Sequence, residues 1–207
     1  MGETKQPTGG QSWWARLWRP GNKWLLGFPI GAILVFFAGA ITLIGSQVAL
    51  HVMNTEEFCT GTCHSMKFPT EEWRDSPHYK NASGVRAACP DCHVPRIYPE
   101  KLIVKTRAGF VDIYHEILGT ISTREKFNAN RAELAEHVWD YMKKTDSREC
   151  RVCHDEEHFL LADQGEKAAK AHVTGPLEGK TCIDCHKGIA HKTPDEIVEE
   201  QQAATVR

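Results

Sequence analysis

A short cysteine motif recurs four times along this chain and uses every cysteine in it. In three copies, two residues separate the cysteines and a histidine follows the second: Cys89–His93, Cys150–His154 and Cys182–His186. The first copy, Cys59–His64, has three residues between its cysteines. Cys-x-x-Cys-His is typical of c-type haem attachment, in which both thiols form thioethers with the porphyrin and the histidine binds the iron. The repeats therefore predict four c-type haems.

The motifs name both the attachment residues and one iron ligand for each haem. Two other readings of the cysteines, a zinc site and a redox dithiol, do not explain a histidine after each second cysteine. The predicted attachment residues are Cys59, Cys63, Cys89, Cys92, Cys150, Cys153, Cys182 and Cys185, and the predicted proximal ligands are His64, His93, His154 and His186.

Four haems in so short a chain constrain the fold. The part beyond the apolar run has about 150 residues, so the porphyrins themselves are expected to form its core. The predicted class is mainly α, with a single N-terminal transmembrane helix and a haem-packed multihaem cytochrome c domain that has little regular structure beyond short helices. Motif spacing predicts a domain over residues 51–194 made of two dihaem halves, about 51–100 and 145–194.

Apolar periodicity predicts helices within this domain. Spacings of three, four and seven indicate helices over Lys101–Leu118 and Arg131–Lys144, and Ala162–His172 is a third helical stretch. Beyond Pro194 a charged tail, residues 195–207, is expected to fray.

An uncharged run near the N-terminus predicts a membrane anchor. Leu25–Leu50 contains no charged residue, and as a helix it is long enough for a tilted crossing of the bilayer. The anchor is predicted over residues 24–50. A cleaved signal peptide is the alternative. Its apolar region would be shorter than this run, and no convincing small-x-small cleavage site follows the run in this chain.

Charge predicts the orientation of the anchor. Residues 1–23, a Trp-rich tail, carry four basic residues and one acidic residue, which predicts a cytoplasmic N-terminus and a periplasmic haem domain at the bacterial inner membrane. Residues 51–207 carry 21 basic and 26 acidic residues, which excludes an electrostatic case for nucleic-acid binding. Gly27 and Gly31 form a Gly-x-x-x-Gly pair, so a homodimer through the anchor stays open.

Each predicted iron has a second face that needs a ligand. Outside the motifs the chain has seven histidines, of which His78, His172 and His191 are the best placed and His51, His115, His137 and His158 are less so. Met66 follows His64 by two residues; its thioether can bind an iron and raise the haem potential, or it can fill space beside the porphyrin.

Three stretches resemble a known family. Residues 54–66, 83–95 and 181–191 are similar to the membrane-anchored tetrahaem quinol dehydrogenases of the NapC/NirT family, and the resemblance covers roughly residues 15–195. It implies a protein that oxidises membrane quinol and passes the electrons to a soluble periplasmic terminal reductase, most typically nitrate reductase.

The resemblance also implies roles for particular residues. Met66 matches the methionine that binds the first haem iron, and the distal histidines of the family match His78, His172 and His191. Lys105 and Asp112 match a lysine and an aspartate beside the first haem and the quinol; their spacing of two helical turns puts them on one face, which could also be a solvated one. The longer first motif, and Arg96 where some nitrate-linked relatives have histidine, depart from the pattern.

Several alternatives stay open at this point. The protein could be an electron conduit without a quinol site of its own, or a terminal reductase, although seven spare histidines for four irons argue against an open coordination position. Its partner could be a nitrite, N-oxide or sulfoxide reductase instead of a nitrate reductase. The quinol could be menaquinol or ubiquinol.

Overall fold

The computed structural model describes residues 13–14, 24–25 and 28–205. The chain divides into two compact units, Met1–Met53 and Asn54–Arg207. Each unit is described separately below.

The first unit is built around one long apolar helix. Trp24–Leu25 (β1) pairs antiparallel with Phe28–Pro29 (β2), and helix α1 then runs over Ile30–Val52. Pro29 is the N-cap residue, with extended φ and ψ of −65° and 136°. The helix therefore begins six residues after residue 24, where the predicted anchor starts, because proline both lacks an N–H and disfavours helical conformation in the residue before it.

Helix α1 has the length and composition of a single-pass membrane anchor. It has 23 residues, and an 18-residue stretch of it has a mean hydropathy of 2.1. At 1.5 Å per residue the helix is about 34 Å long, enough for the hydrocarbon core of a bilayer. Its apolar side chains are exposed, as a lipid-facing helix requires: Leu34, Val35, Phe36, Phe37, Ile41, Leu43, Ile44 and Val48. Gly27, one half of the glycine pair, lies outside the described residues.

The second unit is helical, which confirms the predicted fold class. Its α-helices are α2 Glu56–Gly61, α3 Lys67–Arg74, α4 Cys89–His93, α5 Glu100–Leu118, α6 Arg124–Lys144, α7 Arg148–Arg151, α8 Glu166–Leu177, α9 Cys182–Cys185 and α10 Pro194–Thr205. One-turn 3₁₀ helices cover His64–Met66, Glu156–His158 and Leu161–Asp163.

Helices α5 and α6 form where apolar periodicity predicts them. Helix α5 ends at Gly119, whose φ of 62° is the left-handed conformation that glycine adopts without strain after a helix. Helix α6 begins after Thr123, whose hydroxyl accepts a hydrogen bond from the Lys126 N–H at 3.3 Å. It starts seven residues before the predicted Arg131, because this cap extends the helix beyond its apolar stripe.

The apolar core of this unit is small. The hydrophobic side chains that are buried in the described part of the chain are Trp73, Phe127, Met142, Ile183 and Ile197. Helix α5 has no buried residue, and Phe110 and Ile117 are 76% and 80% exposed. A domain of this size normally buries a larger core, so its apolar surface is available to cover haem groups.

The prediction that the chain frays beyond Pro194 is wrong. Helix α10 begins at Pro194, a favoured first helical residue, and contacts α6. Thr193 and Glu196 form a reciprocal cap: the Glu196 carboxylate accepts from the Thr193 N–H at 2.6 Å, and the Thr193 hydroxyl accepts from the Glu196 N–H at 3.4 Å. The apolar side chain of Ile197 is buried, which stabilises the helix further.

Candidate haem-binding and quinol site

Helical turns bring the two cysteines of each regular motif onto one side of the backbone. In the second and fourth motifs an aspartate before the second cysteine holds the turn. The Asp91 carboxylate accepts from the Ala88 N–H at 2.9 Å, and Asp184 accepts from the Thr181 N–H at 2.8 Å. Cysteines three residues apart on a helix share a face, as attachment to one porphyrin requires. Neither aspartate is among the residues predicted from the sequence, although each is visible there as Asp-Cys-His.

The thiols do not have the character of a reactive dithiol. Burial raises the pKa of Cys92 to about 11, with smaller contributions from Cys150 and other neighbours. It also raises the pKa of Cys59, Cys63, Cys89 and Cys150. Redox dithiols need the opposite shift. Within the described residues, no three or more His, Cys, Asp or Glu side chains form a cluster that could hold a metal ion.

Three pairs of histidine rings lie close together, and the distance between ring centres is nearly the same in all three pairs. The ring centres lie 6.2 Å apart for His78 and His154, 6.2 Å for His93 and His191, and 5.9 Å for His172 and His186. Metal–imidazole bonds of about 2.0–2.1 Å on opposite sides of one ion place two ring centres roughly 6 Å apart. Each pair contains one motif histidine and one of the three best-placed candidates. These residues therefore fit two-histidine ligation of three haem irons.

Hydrogen bonds at the second ring nitrogen support this fit for two candidates. His78 Nδ1 lies 3.3 Å from the Ile189 carbonyl oxygen, and His172 Nδ1 lies 2.5 Å from Gln164 Oε1. Because a carbonyl oxygen only accepts, Nδ1 carries the proton in both rings. The Nε2 lone pair is then available to a metal, which is the usual outer arrangement around a histidine ligand.

The pair His93 and His191 is neutral near pH 7. Burial lowers the pKa of His93 to about 4, with a smaller contribution from His191. Burial also lowers the pKa of His191, and the nearby Glu72 carboxylate opposes that shift. His93 keeps accessible surface although protein surrounds it, as expected of a residue that lines a cleft. Neutral imidazole is the form that binds a metal.

The other histidines have different surroundings. His115 Nδ1 lies 3.0 Å from the Thr120 hydroxyl, and His158 Nδ1 lies 2.8 Å from Asp155. Neither these two nor His137 make a ring contact with His93, His154 or His186 in the described part of the second unit. His51 belongs to the first unit.

The first motif lies against helix α5. Its cysteine Cys63 is close enough to Glu116 and Asp112 that both carboxylates add to the rise in its pKa, which burial causes first. The buried Ser65 hydroxyl donates a hydrogen bond to Glu116 and so ties the motif to the helix. Met66 is half-buried at the start of α3. The His64 side chain lies outside the described residues.

Lys105 and Asp112 share the face of α5 that is turned to this motif. Partial burial lowers the pKa of Lys105 and Lys101 adds to the decrease, while Cys59 and Asp112 oppose it. Partial desolvation raises the pKa of Asp112, although its side chain still reaches solvent, and His115 and Lys105 oppose this shift. A carboxylate with a raised pKa is a better proton acceptor near neutral pH. Arg96, which departs from the family pattern, precedes α5 and forms an ion pair with Asp91 at 2.9 Å.

The four motifs are neighbours in their sequence order. Cys59 contributes to the raised pKa of Cys89, Cys150 to that of Cys92, and Cys182 to that of Cys150. In the same order α2 contacts α4 and α4 contacts α7. The Ile183 N–H also donates to the buried Ser147 hydroxyl at 3.2 Å and so joins the fourth motif to the chain before the third. Groups attached here would form a continuous row.

A family model matches most of the chain. The NapC/NirT cytochrome c family, N-terminal region, matches residues 23–196. No solved structure was found to match.

Curated relatives match over nearly their whole length. A protein of Allochromatium vinosum named as tetraheme cytochrome c type is 45% identical over 170 residues, which are 82% of this chain and 91% of the relative. The cytochrome c-type protein NapC of Escherichia coli K12 is 44% identical over 86% of this chain and 88% of its own. The denitrification system component NirT of Stutzerimonas stutzeri is 42% identical over 91% and 92%.

Proposed function

Because the chain belongs to the NapC/NirT cytochrome c family, we propose that it is a membrane-anchored tetrahaem cytochrome that oxidises quinol and delivers the electrons to a periplasmic terminal reductase. One observation carries the quinol part of the proposal. Helix α5 sets Lys105 and Asp112 beside Cys59 and Cys63, the attachment residues of the first haem.

The histidine pairs support a ligand assignment for three haems. His154 and His78 bind the iron of the third haem, His93 and His191 that of the second, and His186 and His172 that of the fourth. Their ring separations of 5.9–6.2 Å support this assignment. For the first haem, Met66 is the proposed axial ligand, on the strength of the family resemblance.

Lys105 and Asp112 have complementary tasks in quinol oxidation. The Lys105 ammonium donates a hydrogen bond to a quinol oxygen and orients the ring, and the Asp112 carboxylate accepts a proton from a quinol hydroxyl. When bound, the haems supply one-electron carriers. Each quinol releases two protons and two electrons and becomes quinone; the electrons leave singly along the row of motifs, and the protons leave to the periplasm.

The proposed setting follows from the anchor and from the relatives. Helix α1 holds the protein in the bacterial inner membrane with the N-terminus cytoplasmic, so that the haem domain is periplasmic and quinol arrives from the bilayer. Nitrate reductase is the first proposed electron acceptor, in nitrate respiration or denitrification, because the family resemblance most typically implies it and the relative NirT is named a denitrification system component. Nitrite, N-oxide and sulfoxide reductases follow as acceptors.

Quinol-driven haem reduction tests this function directly. The detergent-purified protein is mixed anaerobically with menaquinol or ubiquinol, with and without a quinol-site inhibitor, and the haem absorption bands are followed. We expect fast, inhibitor-sensitive reduction of several haems that Lys105→Ala and Asp112→Ala abolish. Reduction by dithionite but not by either quinol would instead identify an electron conduit without a quinol site. Quinol reduction that both variants leave unchanged would place the quinol site away from Lys105 and Asp112.

A further inference from the structure

A buried ion pair lies next to one of the proposed iron ligands. The side chains of Glu72 on α3 and Arg131 on α6 are 8% and 4% exposed. Arg131 Nη1 donates to Glu72 Oε2 at 2.9 Å, and Nη2 donates to Oε1 at 2.7 Å. This two-point geometry is the strongest form of an arginine–carboxylate contact.

Glu72 and Arg131 both form hydrogen bonds with the backbone of Lys192, the residue that follows His191. Glu72 Oε2 accepts from the Lys192 N–H at 3.1 Å, and Arg131 Nη1 donates to the Lys192 carbonyl oxygen at 2.9 Å. Both backbone polar groups of one residue are thus bound by the two members of the pair. Such bonds fix the path of the chain at His191 and, through it, the distance between the rings of His191 and His93.

Charged side chains of α3, α6, α10 and the loop before α10 surround the pair, and Glu72 lines one cavity together with Glu71, Asp75, Arg124, Lys192, Glu196 and Glu200. Arg124 Nη1 lies 3.5 Å from Glu72 Oε1, and Arg124 also pairs with Glu71. Asn128 Oδ1 accepts from Arg131 Nη2 at 2.8 Å, and the Arg131 guanidinium lies over the Phe127 ring, 4.5 Å from its centre. Glu72 therefore has a second, weaker cationic neighbour, whereas Arg131 has a single carboxylate partner among the described ion pairs.

We propose that Glu72 and Arg131 are positioning residues for the haem held between His93 and His191: they fix the His191 segment, and their opposite charges balance at that haem and set its reduction potential. The inference rests on the proposed ligand assignment. A buried pair that loses one member leaves an uncompensated charge, and hydrogen bonding and charge around the ligands are among the means by which a protein tunes a haem.

Opposite potential shifts separate this role from a purely structural brace. Reduction removes one positive charge from the haem, so the positive charge that Glu72→Gln leaves favours the reduced form and raises the potential. Arg131→Met leaves a negative charge and lowers the potential, by less, because Arg124 still compensates Glu72. We expect changes of about threefold to tenfold in the redox equilibrium, a tenfold change being about 59 mV for one electron.

The experiment is a potentiometric titration of the four haems of the full-length protein, with low-temperature electron paramagnetic resonance of each variant. His191→Ala first identifies the haem concerned, because one low-spin signal becomes high-spin. Arg131→Lys keeps the charge and loses the two-point contact, so it should disturb that signal with little change in potential. Glu71→Gln is the matched control: it is the same chemical change one residue away on a more exposed side chain, and it should change neither.

Each outcome has a distinct meaning. Opposite shifts confined to the haem identified by His191→Ala support the proposal. Shifts of the same sign, or unchanged potentials in Glu72→Gln and Arg131→Met, overturn the tuning role while the ligand assignment stands. If His191→Ala leaves every low-spin signal unchanged, His191 is not a ligand, and both the assignment and this inference fail. A variant that does not fold leaves Arg131→Lys and the double variant Glu72→Gln/Arg131→Met, which should restore the potential.

Discussion

At the scale of single residues, a neighbouring motif histidine ring distinguishes the proposed iron ligands from the other histidines. His78 and His172 each donate from Nδ1 to an amide-type oxygen, which leaves the Nε2 lone pair for an iron shared with the neighbouring motif histidine. His137 is exposed and has no such partner ring among the described contacts. The sequence could name His78, His172 and His191 by their position near motifs, but it could not pair them, because the rings that meet are far apart along the chain.

Removal of a proposed ligand should change one haem. In His78→Ala we expect the haem attached at the third motif to lose its low-spin signature and become high-spin, because His154 then faces no second imidazole. Absorption and electron paramagnetic resonance spectra measure this. The matched control, His137→Ala, should leave all signals as they are; an unchanged His78→Ala spectrum would contradict the pairing.

The raised pKa of Asp112 predicts a pH profile. Quinol oxidation needs the carboxylate form, so the rate should rise with pH through the pKa of Asp112, at a higher pH than an unperturbed aspartate would give. Asp112→Asn removes the proton acceptor, and the rate should fall by a factor on the order of 10² and lose this limb. Stopped-flow reduction of the haems by quinol at several pH values measures both effects. A limb that persists in Asp112→Asn would assign the proton to another group.

At the scale of elements, apolar periodicity predicts where helices α5 and α6 lie, whereas capping residues and proline decide where α1 and α10 begin. The apolar spacing in α5 and α6 predicts both helices, because one face of each has to cover apolar surface. Helix α10 is not predicted from the sequence, because its charged composition indicates a frayed tail. The capping sequence Thr193-Pro194-Asp195-Glu196 is the signal that indicates a helix. Helix α1 begins later than predicted, because an uncharged run shows which residues can form a helix but not that Pro29 shifts the first helical residue to Ile30.

Burial of Ile197 predicts how α10 is held. Ile197→Ala removes a side chain that is 8% exposed, and the free energy of unfolding should fall by about 2 kcal/mol. The adjacent Val198 is 50% exposed, so Val198→Ala should cost no more than about 0.5 kcal/mol. Denaturant unfolding followed by far-ultraviolet circular dichroism measures both. Equal losses in the two variants would show that α10 is not anchored through Ile197.

At the scale of the whole molecule, the two halves predicted from motif spacing are interleaved. His78 comes from the first half and faces His154 of the second, while His191 of the second half faces His93 of the first. Residues 54–207 accordingly form one compact unit. The spacing of motifs along a chain shows which lie close in sequence, but it contains no information on contacts between distant segments.

The order of the motifs predicts the direction of electron flow. With the proposed quinol face beside the first motif, we expect the fourth haem to be the exit toward the reductase. In Cys182→Ala/Cys185→Ala we expect quinol to reduce the three remaining haems at nearly the normal rate, while electron delivery to the reductase is lost. Dithionite reduction gives the number of haems present. Undiminished delivery would place the exit at another haem.

The short distance between the rings of His93 and His191 has a consequence for the maturation of the protein. On the proposed ligand assignment, a chain threaded across the membrane from its N-terminus presents the second attachment motif before the second imidazole of that iron, which follows only after the third and fourth motifs have crossed. We therefore expect this haem to become six-coordinate only after the segment that carries His191 has been translocated.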